Sequence, residues 1–132
     1  MQKNNILGIG LLWFSAIVFI AYGLFGFFNP NIPADFSGLQ MINGNGYAEI
    51  GAMYGGLQMG IGFFCLLSAL RNEFYKAGLM LLTIAIGSLA LGRLFNAVAT
   101  TDALSFYTYG ALIYEFFTAL LAAIVLRFHT KS

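Results

Sequence analysis

Three ionisable residues stand inside long apolar stretches: Arg93 in LGRLFNAV, Glu115 in ALIYEFFTALL and Glu49 at the head of YAEIGAMYGG. A charge at the middle of a membrane-crossing helix costs about 2.5–3.5 kcal/mol on insertion scales, so it is seldom left alone. Two arrangements satisfy it. In one, Arg93 and Glu115 clamp two helices together and Glu49 is solvated at the surface. In the other, the three line a pocket in which Arg93 holds an anionic group and a carboxylate handles a proton. Tyr54 and Gln58 add hydrogen-bonding groups one turn apart, either as contacts between helices or as part of the same pocket. Asn96 shares the helical face of Arg93. The candidate ligand-binding residues are therefore Arg93, Glu115, Glu49, Tyr54, Gln58 and Asn96.

Other chemistry finds little support. The single histidine, His129, falls in the C-terminal tail, so a bis-histidine haem or a histidine metal site has no second ligand. Cys65 is the only cysteine, which rules out a disulfide within the chain and a Cys-x-x-Cys redox pair. No glycine-rich phosphate loop and no hydrolase motif occurs. The expectation is a protein without catalytic residues, cofactor or metal.

The elements that must position these residues are read from composition. Of 132 residues, 60% are hydrophobic and 8% charged, against about a quarter charged in soluble domains. Too few charges exist to cover a water-soluble globule. The net charge of +1 gives no basic field for nucleic acid. About 20 apolar residues, rising roughly 1.5 Å each, cross a hydrocarbon slab of roughly 30 Å. Gaps between charges place four such spans near residues 6–28, 48–70, 77–99 and 106–126 of a single domain, 1–132. The first is too long, and too bulky at its FGFF end, for a cleaved signal sequence, and is expected to be retained. The fold class is all-α, an integral membrane four-helix bundle.

An outer loop, 29–46, carries Pro30, Pro33 and the turn-prone NGNG at 43–46. Its Phe36, Leu39, Met41 and Ile42 suggest a segment lying on the end of the bundle. Arg71 to Lys76 forms a short turn between the second and third spans. Faces follow at 100° per residue. The fourth span aligns Thr108, Ala111, Glu115, Thr118, Ala119 and Ala122, and the third aligns Arg93 with Leu89, Asn96, Ala97 and Thr100. The first aligns Gly8, Ser15, Phe19, Tyr22 and Gly26. The second is two-faced, with Glu49, Ala52, Met53, Gly56 and Gly60 opposite Tyr47, Gly51, Tyr54 and Gln58, so it calls for neighbours on both flanks. Gly51-xxx-Gly55, Gly56-xxx-Gly60 and Ser88-xxx-Gly92 are spacings that let helices approach closely.

At YAEIGAMYGGLQMGIG, then GSLALGRL, then IYEFFTALLAAIVLRF, the chain resembles a bacterial family known as domain of unknown function 4345, small four-helix membrane proteins that neighbour the DoxX-like group. The resemblance covers nearly the whole chain. It maps the family's glutamate, Tyr-Gly-Gly, Gly-Arg and late glutamate onto Glu49, Tyr54 to Gly56, Gly92–Arg93 and Glu115, and implies no particular activity.

The functional expectation is a small protein of a bacterial inner membrane. It binds a lipid, a quinone-like or other amphipathic molecule, or a partner helix, at a polar site in the outer half of the bundle. A proton-coupled transporter or homo-oligomeric carrier, and a membrane subunit of an oxidoreductase, are the alternatives. Lys3, Arg71, Lys76, Arg127 and Lys131 fall on the side of both termini, against only Asp35 and Asp102 opposite, which places the termini in the cytoplasm. In a Cys65→Ser background, an impermeant maleimide should label Gln40→Cys in intact cells. Ser132→Cys should react only after permeabilisation, and the reverse pattern would invert the topology.

Overall fold

The computed structural model describes residues 4–130, the last by its backbone alone; Lys3 and Lys131, two of the basic residues counted above, lie outside the described residues. Those residues form helices and no strand. We label them α1 (Ile6–Phe28), α2 (Asn31–Ser37), α3 (Gly44–Leu70), α4 (Asn72–Ala99) and α5 (Phe106–Thr130). All but α2 are long and apolar enough to cross a membrane, which marks the chain as a multi-pass membrane protein by length and composition. Ile17, Phe25, Leu91 and Phe95 are among many large apolar side chains left exposed, as a lipid-facing surface requires.

Two helices begin earlier than the charge gaps indicate. The Asn43 side chain accepts hydrogen bonds from the backbone N–H groups of Asn45 (3.1 Å) and Gly46 (3.2 Å), so α3 starts at Gly44 rather than near Ala48. The break between α3 and α4 is the single residue Arg71, in an extended conformation (φ −122°, ψ 114°), rather than a turn over 71–76. His129 likewise belongs to the last turn of α5 and is half-buried, not in a tail.

Contacts divide the chain into two compact units. In the unit Trp13–Leu67, the later part of α1 packs on α3 through glycines of both helices. A Cβ built on Gly55 would lie 2.5 Å from the Phe27 nitrogen, and one on Gly26 would lie 2.6 Å from the Tyr54 carbonyl oxygen. Gly23 and Gly62 meet the partner backbone at similarly short range. Backbones this close gain dispersion contacts that lipid tails cannot offer.

The glycines that make this seam differ from those the spacing singles out. Gly51–Gly56 is a π turn, in which the Leu57 N–H reaches back five residues to the Ala52 carbonyl. Residues five apart diverge by about 140° on an α-helix. The wider turn brings Ile50 and Gly55 onto one buried side instead. Gly56 and Gly60 have nothing within 4 Å of where a Cβ would stand, and Glu49, Ala52, Met53 and Gly60 are exposed. The second flank expected for this helix is therefore open.

In the same unit α2 buries Pro33 and Ala34 and exposes Phe36; of the apolar residues that follow it, Leu39 and Ile42 are exposed, while Met41 is half-buried beside Gly46 at the start of α3. Gly38, at φ 71°, closes α2 in the left-handed conformation that suits glycine, and its N–H bonds the Ala34 carbonyl.

The other unit takes in the chain up to Leu12 and from Ser68 onward. Here the start of α1, the start of α4 and the end of α5 converge on Tyr75, which is 1% exposed. Its hydroxyl donates to the Asn5 carbonyl (3.2 Å), its ring lies 5.2 Å from that of His129, and the absence of a side chain on Gly8 makes room for it. Asn4 donates to Asn72 at 2.8 Å beside it.

A methyl group at position 55 must push the two backbones apart. Gly55→Ala should therefore lower stability by about 1–3 kcal/mol, whereas Gly60→Ala should be neutral or gain about 0.5–1 kcal/mol from reduced chain entropy. Unfolding of the purified variants in mixed micelles measures both.

Candidate functional site

The two residues that carry intramembrane charge in the second unit meet. Arg93 of α4 donates from Nε to Glu115 Oε2 at 2.9 Å and from Nη2 to Oε1 at 2.7 Å. This is the parallel two-bond geometry for which the planar guanidinium is suited. The Glu115 side chain is 6% exposed and that of Arg93 23%, so the carboxylate is the deeper partner. Arg93 lies about 9 Å along α4 from its end at Ala99, and Glu115 about 13 Å along α5 from Phe106. Both therefore sit below the end of the helix pair joined by residues 100–105, which we call the loop end.

Local sequence explains the placement. On α5, Glu115, Thr118, Ala122 and Val125 recur at helical spacing and are all buried, so the stripe of small and hydroxyl residues is the packed face, as its composition indicates. On α4 the buried stripe runs Leu79, Leu82, Ile86 and Ala90 and reaches Arg93 next. Leu89 and Asn96, grouped with Arg93 by sequence, lie on the outward edge of that face and are exposed. The Asn96 carboxamide turns back on its own helix, donating to the Gly92 carbonyl at 2.8 Å.

The remaining candidates fall in the Trp13–Leu67 unit. Glu49 is exposed near the start of α3. Tyr54 lies half-buried within the π turn, with its backbone carbonyl against Gly26, and Gln58 is half-buried one turn further on.

Next to the ion pair is a feature that residue types alone do not announce. A groove of about 350 Å³ runs between α4 and α5, lined by residues including Thr83, Gly87, Ser88, Ala90, Leu94 and Ala119. Its rim residues Ile84, Leu91, Phe116 and Leu120 are exposed, so it opens sideways. Small side chains make the space. The Ser88-xxx-Gly92 spacing marks this region, yet Gly92 has no neighbour within 4 Å and Ser88 is exposed. Here small residues leave room instead of drawing a helix in. A second π turn, Leu82–Ile86, forms the far end of the α4 wall, and such turns occur often at functional sites. Arg93 stands three residues beyond Ala90, and Glu115 four residues before Ala119. Each is thus about one turn toward the loop end from a lining residue, but neither lines the groove, which runs on past the level of Arg93 to Leu94.

Comparison with known families supports the relationship its motifs indicate. The family model described as a domain of unknown function (DUF4345) matches residues 9–126. The chain belongs to this family. No curated protein and no solved structure matches it. In this member of the family, the Gly-Arg of α4 and the late glutamate of α5 are the two halves of one buried ion pair.

Removing one half leaves the other uncompensated. Arg93→Ala should destabilise the protein by about 3 kcal/mol. Arg93→Met combined with Glu115→Leu, which replaces both charges by apolar volume, should recover most of that loss. Thermal unfolding of the single and double variants in detergent checks the ordering.

Proposed function

We propose that this DUF4345 member is a non-enzymatic integral membrane protein that holds an amphipathic molecule on the α4–α5 pair. The hydrocarbon part lies in the groove and the polar part toward the loop end. The observation that carries this reading is the side-opening apolar groove between α4 and α5, whose small lining residues leave space along the helix pair that the Arg93–Glu115 bridge joins. Binding sites for small molecules combine a mostly apolar lining with a few fixed polar groups, and this groove has that composition.

Two further features support the reading. The Thr83 hydroxyl is engaged by the Leu79 carbonyl at 2.8 Å, so the end of the groove far from the ion pair presents hydrocarbon to an occupant. Catalytic machinery finds no comparable support. The thiol of Cys65 is buried, and the carboxylate of Glu115 is committed to Arg93 through both oxygens.

The orientation that fits this reading puts the loop end toward the outside. Arg71, Lys76 and Arg127 are exposed at the opposite ends of α4 and α5, and Asp102 follows α4 at the loop end. That asymmetry accords with basic residues staying on the cytoplasmic side. A bacterial inner membrane is the setting we assign.

Filling the groove tests the proposal. Ala119→Phe adds a ring beside Gly87, whose Cβ position is 3.5 Å from the Ala119 methyl group. Native mass spectrometry of the wild-type protein released from mild detergent should show an adduct of lipid-like mass, and this variant should lose it. Equal retention by both proteins would refute binding in the groove.

A further inference from the structure

A second contact with lipid lies in the Trp13–Leu67 unit and does not depend on the groove. We propose that the connection from Asn29 to Asn43 is embedded in the boundary between lipid head groups and hydrocarbon, with Phe36, Leu39 and Ile42 inserted among the acyl chains.

Depth comes from two contacts with α3. The Pro30 Cγ lies 3.2 Å from where a Cβ on Gly51 would stand, and the Met41 Cα lies 3.5 Å from the same point on Gly46. Counted from Gly44, these two glycines are about 10 Å and about 3 Å along the helix. Helix α3 has 27 residues, roughly 40 Å when upright, against a hydrocarbon core of about 30 Å. Centred on that core, it extends past it by about 5 Å at each end, which puts the boundary near Tyr47. Tyr47 is exposed, as an aromatic side chain at the head-group level is expected to be. The two contacts therefore bracket the boundary. The connection begins just below it at Pro30 and rises to just above it at Met41.

The faces of α2 suit that depth. At 100° per residue Pro33, Ala34 and Ser37 share one side, which is buried or half-buried. Asn31 and Asp35 share a second side, and Ile32 and Phe36 a third. These are the protein, water and lipid sides of a helix lying in the interface. Beyond α2, Leu39 is exposed and Ile42 is 94% exposed. In water these side chains would waste large apolar surface. Among lipid they continue the exposed apolar surface of Phe25 and Phe28 at the end of α1. Asp35 is the sole charged residue between Phe28 and Glu49, so the attachment rests on apolar burial and not on anionic lipid.

The deeper part of the connection has no need of water. An N–H group without a partner is costly in hydrocarbon, and from Asn29 to Ala34 every one is bonded or missing. Asn29 donates to the Phe25 carbonyl at 2.9 Å, Ile32 to that of Asn29 at 3.1 Å and Ala34 to that of Pro30 at 3.3 Å. The Asn31 N–H donates to the Asn29 side chain at 3.2 Å. Pro30 and Pro33 have no N–H to satisfy. Ser37, further along, turns its hydroxyl back to the Pro33 carbonyl at 2.6 Å.

Single tryptophans read the depth. Full-length protein in a Trp13→Phe background carries Phe36→Trp, Ile42→Trp or Asp35→Trp and is reconstituted into phosphatidylcholine bilayers. All four positions are exposed, so no buried contact is lost. Two quenchers are compared: bromine carried on the lipid acyl chains and acrylamide in the water. Tryptophan at 36 and 42 should be quenched mainly by the brominated chains and emit to the blue of Asp35→Trp. At 35 the ratio should reverse in favour of acrylamide, which controls for the affinity of the indole itself for the interface. The ranking should survive high salt, because no charge pairing holds the segment. A common response at all three positions, to either quencher, would overturn the embedded orientation. Protection of 36 and 42 from both quenchers would overturn it too, in favour of cover by a second copy or another protein chain.

Discussion

Hydrocarbon cannot solvate a charge, and the Arg93–Glu115 pair is where that constraint acts on this chain. Neither residue is tolerable alone at its depth, so α4 and α5 must adopt the one register that brings a guanidinium and a carboxylate face to face. Apolar packing between two helices in lipid has no comparable selectivity, because leucine against leucine differs little from leucine against an acyl chain. The ion pair therefore specifies the helix pair more than it stabilises it. Everything along that seam, including the small residues on the far side of Ala90 and Ala119, inherits its alignment from this contact.

Small residues serve two opposite ends in the same molecule. In the Trp13–Leu67 unit, Gly23, Gly26, Gly55 and Gly62 let backbones come within van der Waals reach, and any added carbon there collides with main chain. In the other unit Gly87, Ser88 and Ala119 meet no such approach, and the volume they give up remains as a groove. Small residues line both settings. What differs is whether the partner helix is held off by something bulky nearby, as the Arg93–Glu115 bridge holds α4 and α5 at side-chain distance.

Much of the architecture was legible in the sequence. The limits of α1 agree with its uncharged run, and the packed faces of α1 and α5 follow from their small and hydroxyl residues, because lipid-facing positions have no use for these. Charge gaps misplaced the starts of α3 and α4, since a gap marks a run without charge and not the helix: Asn43 caps one helix ahead of its uncharged run, and a single extended residue suffices to separate the other. The open face of α3 was misread because a regular 100° wheel does not contain a π turn, and nothing in GAMYGG announces one. Of the candidate site, the Arg93–Glu115 partnership could be read from depth and charge. The groove could not, for it consists of volume that side chains fail to fill.

The π turn at Gly51–Gly56 has a consequence for how this helix tolerates change in length. Such a turn accommodates one residue beyond the ordinary α repeat, so α3 carries a surplus residue between two regular segments. Deleting any one residue there would restore continuous α geometry and turn the whole N-terminal stretch, Glu49 included, by roughly a quarter to a third of a revolution. Because four of the seven residues from Gly51 to Leu57 are glycine or alanine, the surplus can migrate by a position with little bulk to obstruct it. The helix is in effect a rod with a swivel, whose lower part is fixed by close backbone contact and whose upper part is indexed by where the extra residue sits.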